Sequence, residues 1–186
     1  MAAELAVLGW RDIRVVRAFR HEHERMRDAV ASGSSLDASA NAVERSAFQQ
    51  QIQRTALSLS MPEVEVERVI NRWMIERPGK WLRRFRRAAL LAELEQFRKA
   101  GGRLALVSDY PARRKLAALG CAELFEVIVA NGEEGGPRWL KPDPDGFLSA
   151  AGRLGIAPER CLVLGDRADA DGEAARRAGM AFRHVV

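Results

Sequence analysis

Leu104-Ala105-Leu106-Val107 runs directly into Ser108-Asp109-Tyr110-Pro111 a little past the middle of the chain. Four apolar residues in a row, without polar alternation, mark a strand covered on both faces. Gly101-Gly102 precede it and Pro111 follows, so breakers bound it on either side. Such a strand belongs in a parallel sheet with helices above and below, and the neighbouring sequence should then alternate strand with helix. It does so to the end of the chain. A helix is expected from about Pro111 to Leu119, a strand from Phe125 to Ala130, and a helix from Asp145 to Leu154. A third strand follows at Cys161 to Leu164. A helix from Asp171 to Ala178 is stopped by Gly179, and a short last strand covers Ala181 to Val186.

Upstream the rhythm is helical almost throughout. Ile13, Val16, Phe19, Met26 and Val30 fall on one stripe at helical spacing. A second helix is expected from Asn41, with Glu44 closing a capping box, and a third from Ser60 with Pro62 and Glu63 in its first turn. A fourth, from about Trp81 to Lys99, gathers Leu82, Phe85, Ala89, Leu90, Leu94 and Phe97 on one broad face. The expected division is a helical unit over residues 10–80 and an α/β unit over 81–186.

The composition is that of an ordinary globular domain, 47% hydrophobic and 30% charged over 186 residues. No apolar run approaches the roughly 20 residues of a membrane span, and no secretory leader is visible. Cys121 and Cys161 lack metal-ligand spacing and read as small core residues of a reduced, cytoplasmic protein. The net charge of +5 is spread over helices rich in both signs, with one tight cluster at Arg83-Arg84-Phe85-Arg86-Arg87. Base-stacking aromatics are scarce, so a solvated helix face or an anionic small molecule accounts for the charge better than nucleic acid.

In sheets of this kind, polar residues just beyond the carboxyl ends of strands build the site. Three clusters stand there: Ser108-Asp109 after the first strand, Lys141-Pro142-Asp143-Pro144 in the loop after the second, and Gly165-Asp166 through Asp171 after the third. A hydroxyl and an ammonium hold phosphate oxygens, and paired carboxylates hold a divalent cation. Each has a plain structural reading in isolation. Ser108 is a turn residue, Asp109 a helix cap near Pro111, Lys141 a surface lysine, and Asp169 and Asp171 complements to a helix amino terminus. Their order along the chain favours a site. His21 and His23 point to different sides of one helix, which excludes a shared metal. His23 lies on the apolar stripe and reads as a hydrogen-bonded core histidine.

These motifs resemble the haloacid dehalogenase (HAD) superfamily. Ser108 is similar to its second motif. Lys141 in Leu140-Lys141-Pro142-Asp143-Pro144-Asp145 is similar to the third as phosphoglycolate-phosphatase-type members write it, and Gly165-Asp166 through Asp171 is similar to the fourth. The resemblance implies a HAD-like Rossmannoid parallel sheet over residues 81–186 and a helical cap over 10–80. It also implies a magnesium-dependent phosphatase acting on a small phosphorylated metabolite. Ser108, Asp109 and Lys141 would bind phosphate, Ser108 and Lys141 serving catalysis. Asp166 would ligand magnesium, supported by Asp171.

The family's first motif, a strand ending in Asp-x-Asp before the cap, has no counterpart here. Leu5-Ala6-Val7-Leu8 is strand-like but runs into Gly9-Trp10-Arg11, and Asp12 falls in the first turn of the cap helix. The resemblance makes the first of these carboxylates the nucleophile and the strand carrying it the centre of the sheet. The sheet is therefore expected to be incomplete, its first strand missing, with the true amino terminus upstream. The two strands that should flank it must pair directly, accept Leu5 to Leu8 as a stub, or keep open edges. The 186-residue chain alone is expected to be inactive. The rival expectation is a non-catalytic HAD-like protein that binds a phosphorylated ligand or a protein partner.

Overall fold

A computed structural model describes residues 10–33 and 45–185, apart from the side chain of Lys80. Leu5 to Leu8 and the expected helix start at Asn41 with Glu44 lie outside the described residues. The first helix, α1 (Trp10–Ser32), turns Val15, Phe19, Glu22, His23, Met26 and Arg27 inward, a stripe at helical period. Phe19 and Met26 sit on it as expected, while its centre is rotated towards Val15.

Helix α2 (Ala47–Leu59) starts at Ser46, whose hydroxyl accepts the Gln49 amide while the Gln49 side chain accepts the Ser46 amide. Ser60, expected to open the next helix, instead closes α2 in the left-handed conformation, with φ 51°. Helix α3 (Glu63–Ile70) begins after Pro62 and continues as a π-helical turn over Asn71–Glu76, which buries Trp73. Val15, Phe19, Phe48, Ile52, Val66, Ile70 and Trp73 form one apolar cluster among these helices.

The single helix expected from Trp81 to Lys99 is two, α4 (Gly79–Arg84) and α5 (Ala88–Lys99). The break falls in Arg83-Arg84-Phe85-Arg86-Arg87, where an unbroken helix would stack like charges at i,i+3 and i,i+4. The broad apolar face of α5 buries none of its residues fully.

Strand β1 (Ala105–Ser108) leads through α6 (Arg113–Leu119) to β2 (Val127–Ala130), and the two pair in parallel with Ala105 opposite Val127. Helix α7 (Asp145–Leu154) follows, then β3 (Leu162–Gly165). A π-helical turn over Ala168–Gly172 leads into α8 (Glu173–Arg177), and β4 (Ala181–His184) closes the order, parallel to β3. Val127 and Val129 pack with Ala150 and Leu154 of α7, whereas Ile128 and Ala130 pack with Leu116 of α6. Because neighbouring residues of a strand face opposite ways, helices cover both faces of this pair.

Among the described residues β1 and β3 do not pair, leaving two two-stranded parallel sheets. Direct pairing of the two is therefore not what the described residues adopt, and the alternative in which Leu5 to Leu8 acts as a stub lies outside them. β2 is buried throughout, but β1 is only half-buried, short of the two-sided cover expected of it. Val163 packs against Phe147 and Ala174 on one face of β3, while Leu162 and Leu164 on the other remain 51% and 44% exposed. Cys121 is buried as expected. Cys161, at the start of exposed β3, is only partly so.

Candidate phosphate site at the strand tips

The loop after β2 brings Lys141 back across the tips of both sheets. Its ammonium donates to Asp171 Oδ1 at 2.6 Å, and its backbone N–H donates to Asp109 Oδ1 at 3.2 Å. Asp171 Oδ2 accepts the Arg167 amide at 3.2 Å, so both oxygens of this buried carboxylate are engaged. Gly165 makes that possible: a Cβ there would stand 2.5 Å from the Asp171 Cβ, a separation only glycine avoids.

Ser108 ends β1, and its hydroxyl accepts the Tyr110 amide at 3.2 Å. Asp166 follows β3 with an exposed side chain, its carbonyl accepting from His184 Nε2 at 3.0 Å. The structure thus joins Lys141, Asp109 and Asp171 by direct contact. Ser108 and Asp166 occupy the neighbouring strand ends. Asp143 and Asp145 stay within their own loop, Asp143 accepting the Asp145 amide. Asp169 pairs with Arg167 at 2.6 Å, a hydrogen bond that holds its carboxyl below the usual range.

Asp12 is elsewhere. It accepts the Trp73 indole N–H at 2.9 Å inside the helical cluster. Fifteen residues separate it from Arg27 on the same helix, or roughly 22 Å at the α-helical rise. Arg27 is the residue that touches the Lys141 loop, through its carbonyl.

His23 is the hydrogen-bonded core histidine expected from the sequence, but sequence reasoning missed that α1 meets this cluster through it and its neighbours. His23 is buried, donates from Nδ1 to Gln51 Oε1 at 3.2 Å, stacks on Tyr110 with ring centres 4.6 Å apart, and has Nε2 4.0 Å from Asp109 Oδ2. Burial lowers its pKa against the raising effects of Gln51 and Asp109. Burial also pushes the Tyr110 hydroxyl up to about 12. Glu24 pairs with Arg167 at 3.1 Å, and Phe48 at the start of α2 donates its amide to Asn131 Oδ1 at 2.9 Å. A polar residue on an apolar stripe was the available signal, but a single helix does not say what faces it.

The profile of the haloacid dehalogenase-like hydrolases matches residues 14–179. The chain belongs to the haloacid dehalogenase-like hydrolase family. Its curated relatives in this family are phosphatases. It is 38% identical over 94 residues to the glyceraldehyde 3-phosphate phosphatase of Methanopyrus kandleri, covering 49% of this chain and 39% of that protein. It is 36% identical over 107 residues to the phosphoserine phosphatase of Thermus thermophilus, covering 54% and 42%. These matches span only about two fifths of the relatives' length. The fold is that of L-2-haloacid dehalogenase from Xanthobacter autotrophicus, with a TM-score of 0.60 at 17% identity over 99% of this chain and 69% of that one. β-Phosphoglucomutase from Clostridium difficile aligns with a TM-score of 0.54 at 17% identity, over 91% and 78%.

The donor set bears on a metal. No group of three His, Cys, Asp or Glu side chains suited to a metal ion occurs among the described residues. Each oxygen of Asp171 accepts one hydrogen bond, from Lys141 and from Arg167, and Asp169 is held by Arg167. Asp166 is the exposed carboxylate left at the strand tips. One carboxylate fits magnesium, which keeps most of its shell as water and substrate phosphate oxygens.

Proposed function

We propose that this chain is the cap, residues 10–80, and the core, residues 81–186, of a magnesium-dependent phosphomonoester hydrolase whose nucleophile-bearing strand lies outside the 186 residues. The observation that supports it most is the contact of the Lys141 ammonium with Asp171 at 2.6 Å while the Lys141 amide is tied to Asp109. A lysine anchored at both ends presents a fixed positive charge at the strand tips, where it stabilises negative charge developing on a phosphoryl group. Ser108 donates its hydroxyl hydrogen to a phosphoryl oxygen, and Asp109 contributes through its backbone amide, its carboxylate being turned to Lys141. Asp166 is the residue to hold magnesium. When bound, the ion would neutralise phosphate charge and help orient the ester. The open edges of β1 and β3 and the exposed Leu162 and Leu164 are consistent with one more parallel strand between the two sheets.

Positioning and charge stabilisation without a nucleophile leave a residual effect on the order of 10³-fold. Spontaneous phosphomonoester hydrolysis is so slow that this is invisible in a routine assay. The 186-residue chain should therefore not turn over p-nitrophenyl phosphate with magnesium. A version extended upstream by an encoded strand ending in Asp-x-Asp should do so, and Lys141→Ala should abolish the activity. Robust turnover by the 186-residue chain, lost on Asp12→Asn, would overturn the assignment.

A further inference from the structure

The excess positive charge of the chain is gathered in one place. Residues 77–92 hold six of its 30 Lys and Arg and none of its 25 Asp and Glu, so the rest of the sequence has one more acid than it has bases. Arginines nearby are answered by glutamates: Arg98 and Arg103 pair with Glu126, Arg113 with Glu133 and Arg114 with Glu76. Within the cluster the pattern differs. Arg83 donates to the Ala118 carbonyl at 3.3 Å, but Arg84, Arg86 and Arg87 are exposed and have neither hydrogen bond nor ion pair among the described residues. Like charges this close repel one another, and the surface is less unfavourable once an anion covers it.

Apolar surface lies among these cations. Trp81 and Phe85 stack with ring centres 6.2 Å apart while staying 36% and 72% exposed. With Leu82, Leu90, Leu91 and Leu119 they line a cavity of about 430 Å³, and Arg86 and Arg87 form part of its wall. A tryptophan has an apolar body and one polar edge, and an arginine lays its stem on apolar surface while its head stays among polar groups. Both side chains suit a boundary between water and hydrocarbon.

We infer that this patch of α4 and α5 docks on the surface of a bilayer containing anionic lipid, its arginines meeting lipid phosphates and Trp81 and Phe85 entering the headgroup region. Charge complementarity selects the occupant. A second copy of the chain would set the same six cations against their equivalents, which is repulsive. Arg84, Arg86 and Arg87 are held by no partner, so they are not ordered in advance for carboxylates fixed on another protein. Lipid headgroups move to meet them, and clusters of about four to eight basic residues beside apolar side chains bind anionic leaflets in this way. The surface shares no residue with the strand-tip site, so the inference stands apart from the phosphatase reading.

Co-flotation of the 186-residue chain with vesicles tests it. The chain should float with phosphatidylglycerol mixed equally with phosphatidylcholine, bind phosphatidylcholine alone at least about tenfold more weakly, and lose the difference as salt is raised. An arginine close to an anionic surface contributes roughly fivefold to partitioning, so Arg86→Gln with Arg87→Gln should weaken binding roughly 25-fold. Phe85→Ser should weaken it as well. These substitutions change exposed side chains, and circular dichroism checks that the variants fold. The same loss of charge on the helical unit, Arg11→Gln with Arg45→Gln, should leave binding nearly unchanged. Failure of the unaltered chain to float with the mixed vesicles would overturn the inference. So would flotation that survives Arg86→Gln with Arg87→Gln, or that the Arg11 and Arg45 pair weakens as much. Binding to soluble polyglutamate without binding to vesicles would overturn it too, and would assign the patch to an acidic protein.

Discussion

Lys141 and Asp171 form a nearly buried ion pair whose members have other duties, so disturbing either side should register in stability as well as in function. Asp171→Asn leaves the ammonium facing a neutral amide and should cost roughly 2 kcal/mol in urea denaturation, the scale of a hydrogen bond to a charged group. Gly165→Ala strikes the same pair from behind, because the new Cβ would overlap Asp171. The two substitutions together should destabilise by less than the sum of their separate effects, as expected for changes acting on one contact. His23 supplies a different signature. Burial lowers its folded pKa below the usual 6.5, so the unfolded chain takes up the proton first. Its contribution is therefore complete above about pH 6.5 and is lost as pH falls from there towards the folded pKa. Melting temperatures should drop between pH 7.5 and pH 5, and His23→Gln should flatten that part of the curve. An unchanged slope in the variant would assign the acid sensitivity to other groups.

Among the elements, α2 owes its start to three polar residues from two parts of the chain. Ser46 and Gln49 satisfy each other's backbone donors, and Asn131 from the tip of β2 takes the Phe48 amide. The cap and the tertiary contact thus share one helix end. Ser46→Ala should lower stability by about 1 kcal/mol, whereas Ser46→Asp, which keeps the acceptor, should lose little. Thermal melts of the two variants separate the cap from a general effect of substitution. α4 and α5 show the converse case, in which apolar spacing favours one long helix and clustered arginines stop it. Residues 83–87 contain four arginines flanking Phe85, and the backbone leaves the helix at Phe85 with ψ 20°.

At the scale of the molecule, one edge each of β1 and β3 meets no other strand among the described residues, beside exposed Leu162 and Leu164. Unpaired parallel edges next to apolar surface recruit other strands. The 186-residue chain should therefore associate with rising concentration, read by light scattering. Leu162→Lys with Leu164→Lys should reduce that association with little loss of helical circular dichroism, since both side chains already face solvent. An upstream strand that fills the gap should suppress it too. No helix among the described residues is long and apolar enough to cross a membrane.

Local pattern was enough to place each strand among the described residues to within two residues, to alternate them with helices, and to set Ser108 and Asp166 at strand ends and Lys141 in the loop after the second strand. Each of these depends on a run of neighbours: an apolar stretch, a glycine or proline boundary, a polar residue just beyond. Helix limits were legible where a single cap decided them and illegible where charges compete with apolar spacing, as at Phe85. What tertiary structure alone decided is which side chains meet. Asp171 read as one member of a carboxylate pair, but the fold gives both of its oxygens to Lys141 and Arg167. Asp109 holds the Lys141 loop. His23, Glu24 and Arg27, within little more than one turn of α1, meet Tyr110, Arg167 and Lys141 only because segments more than eighty positions away pack against them. No periodicity carries that information, because a contact between distant segments depends on how whole elements bury their apolar faces against one another.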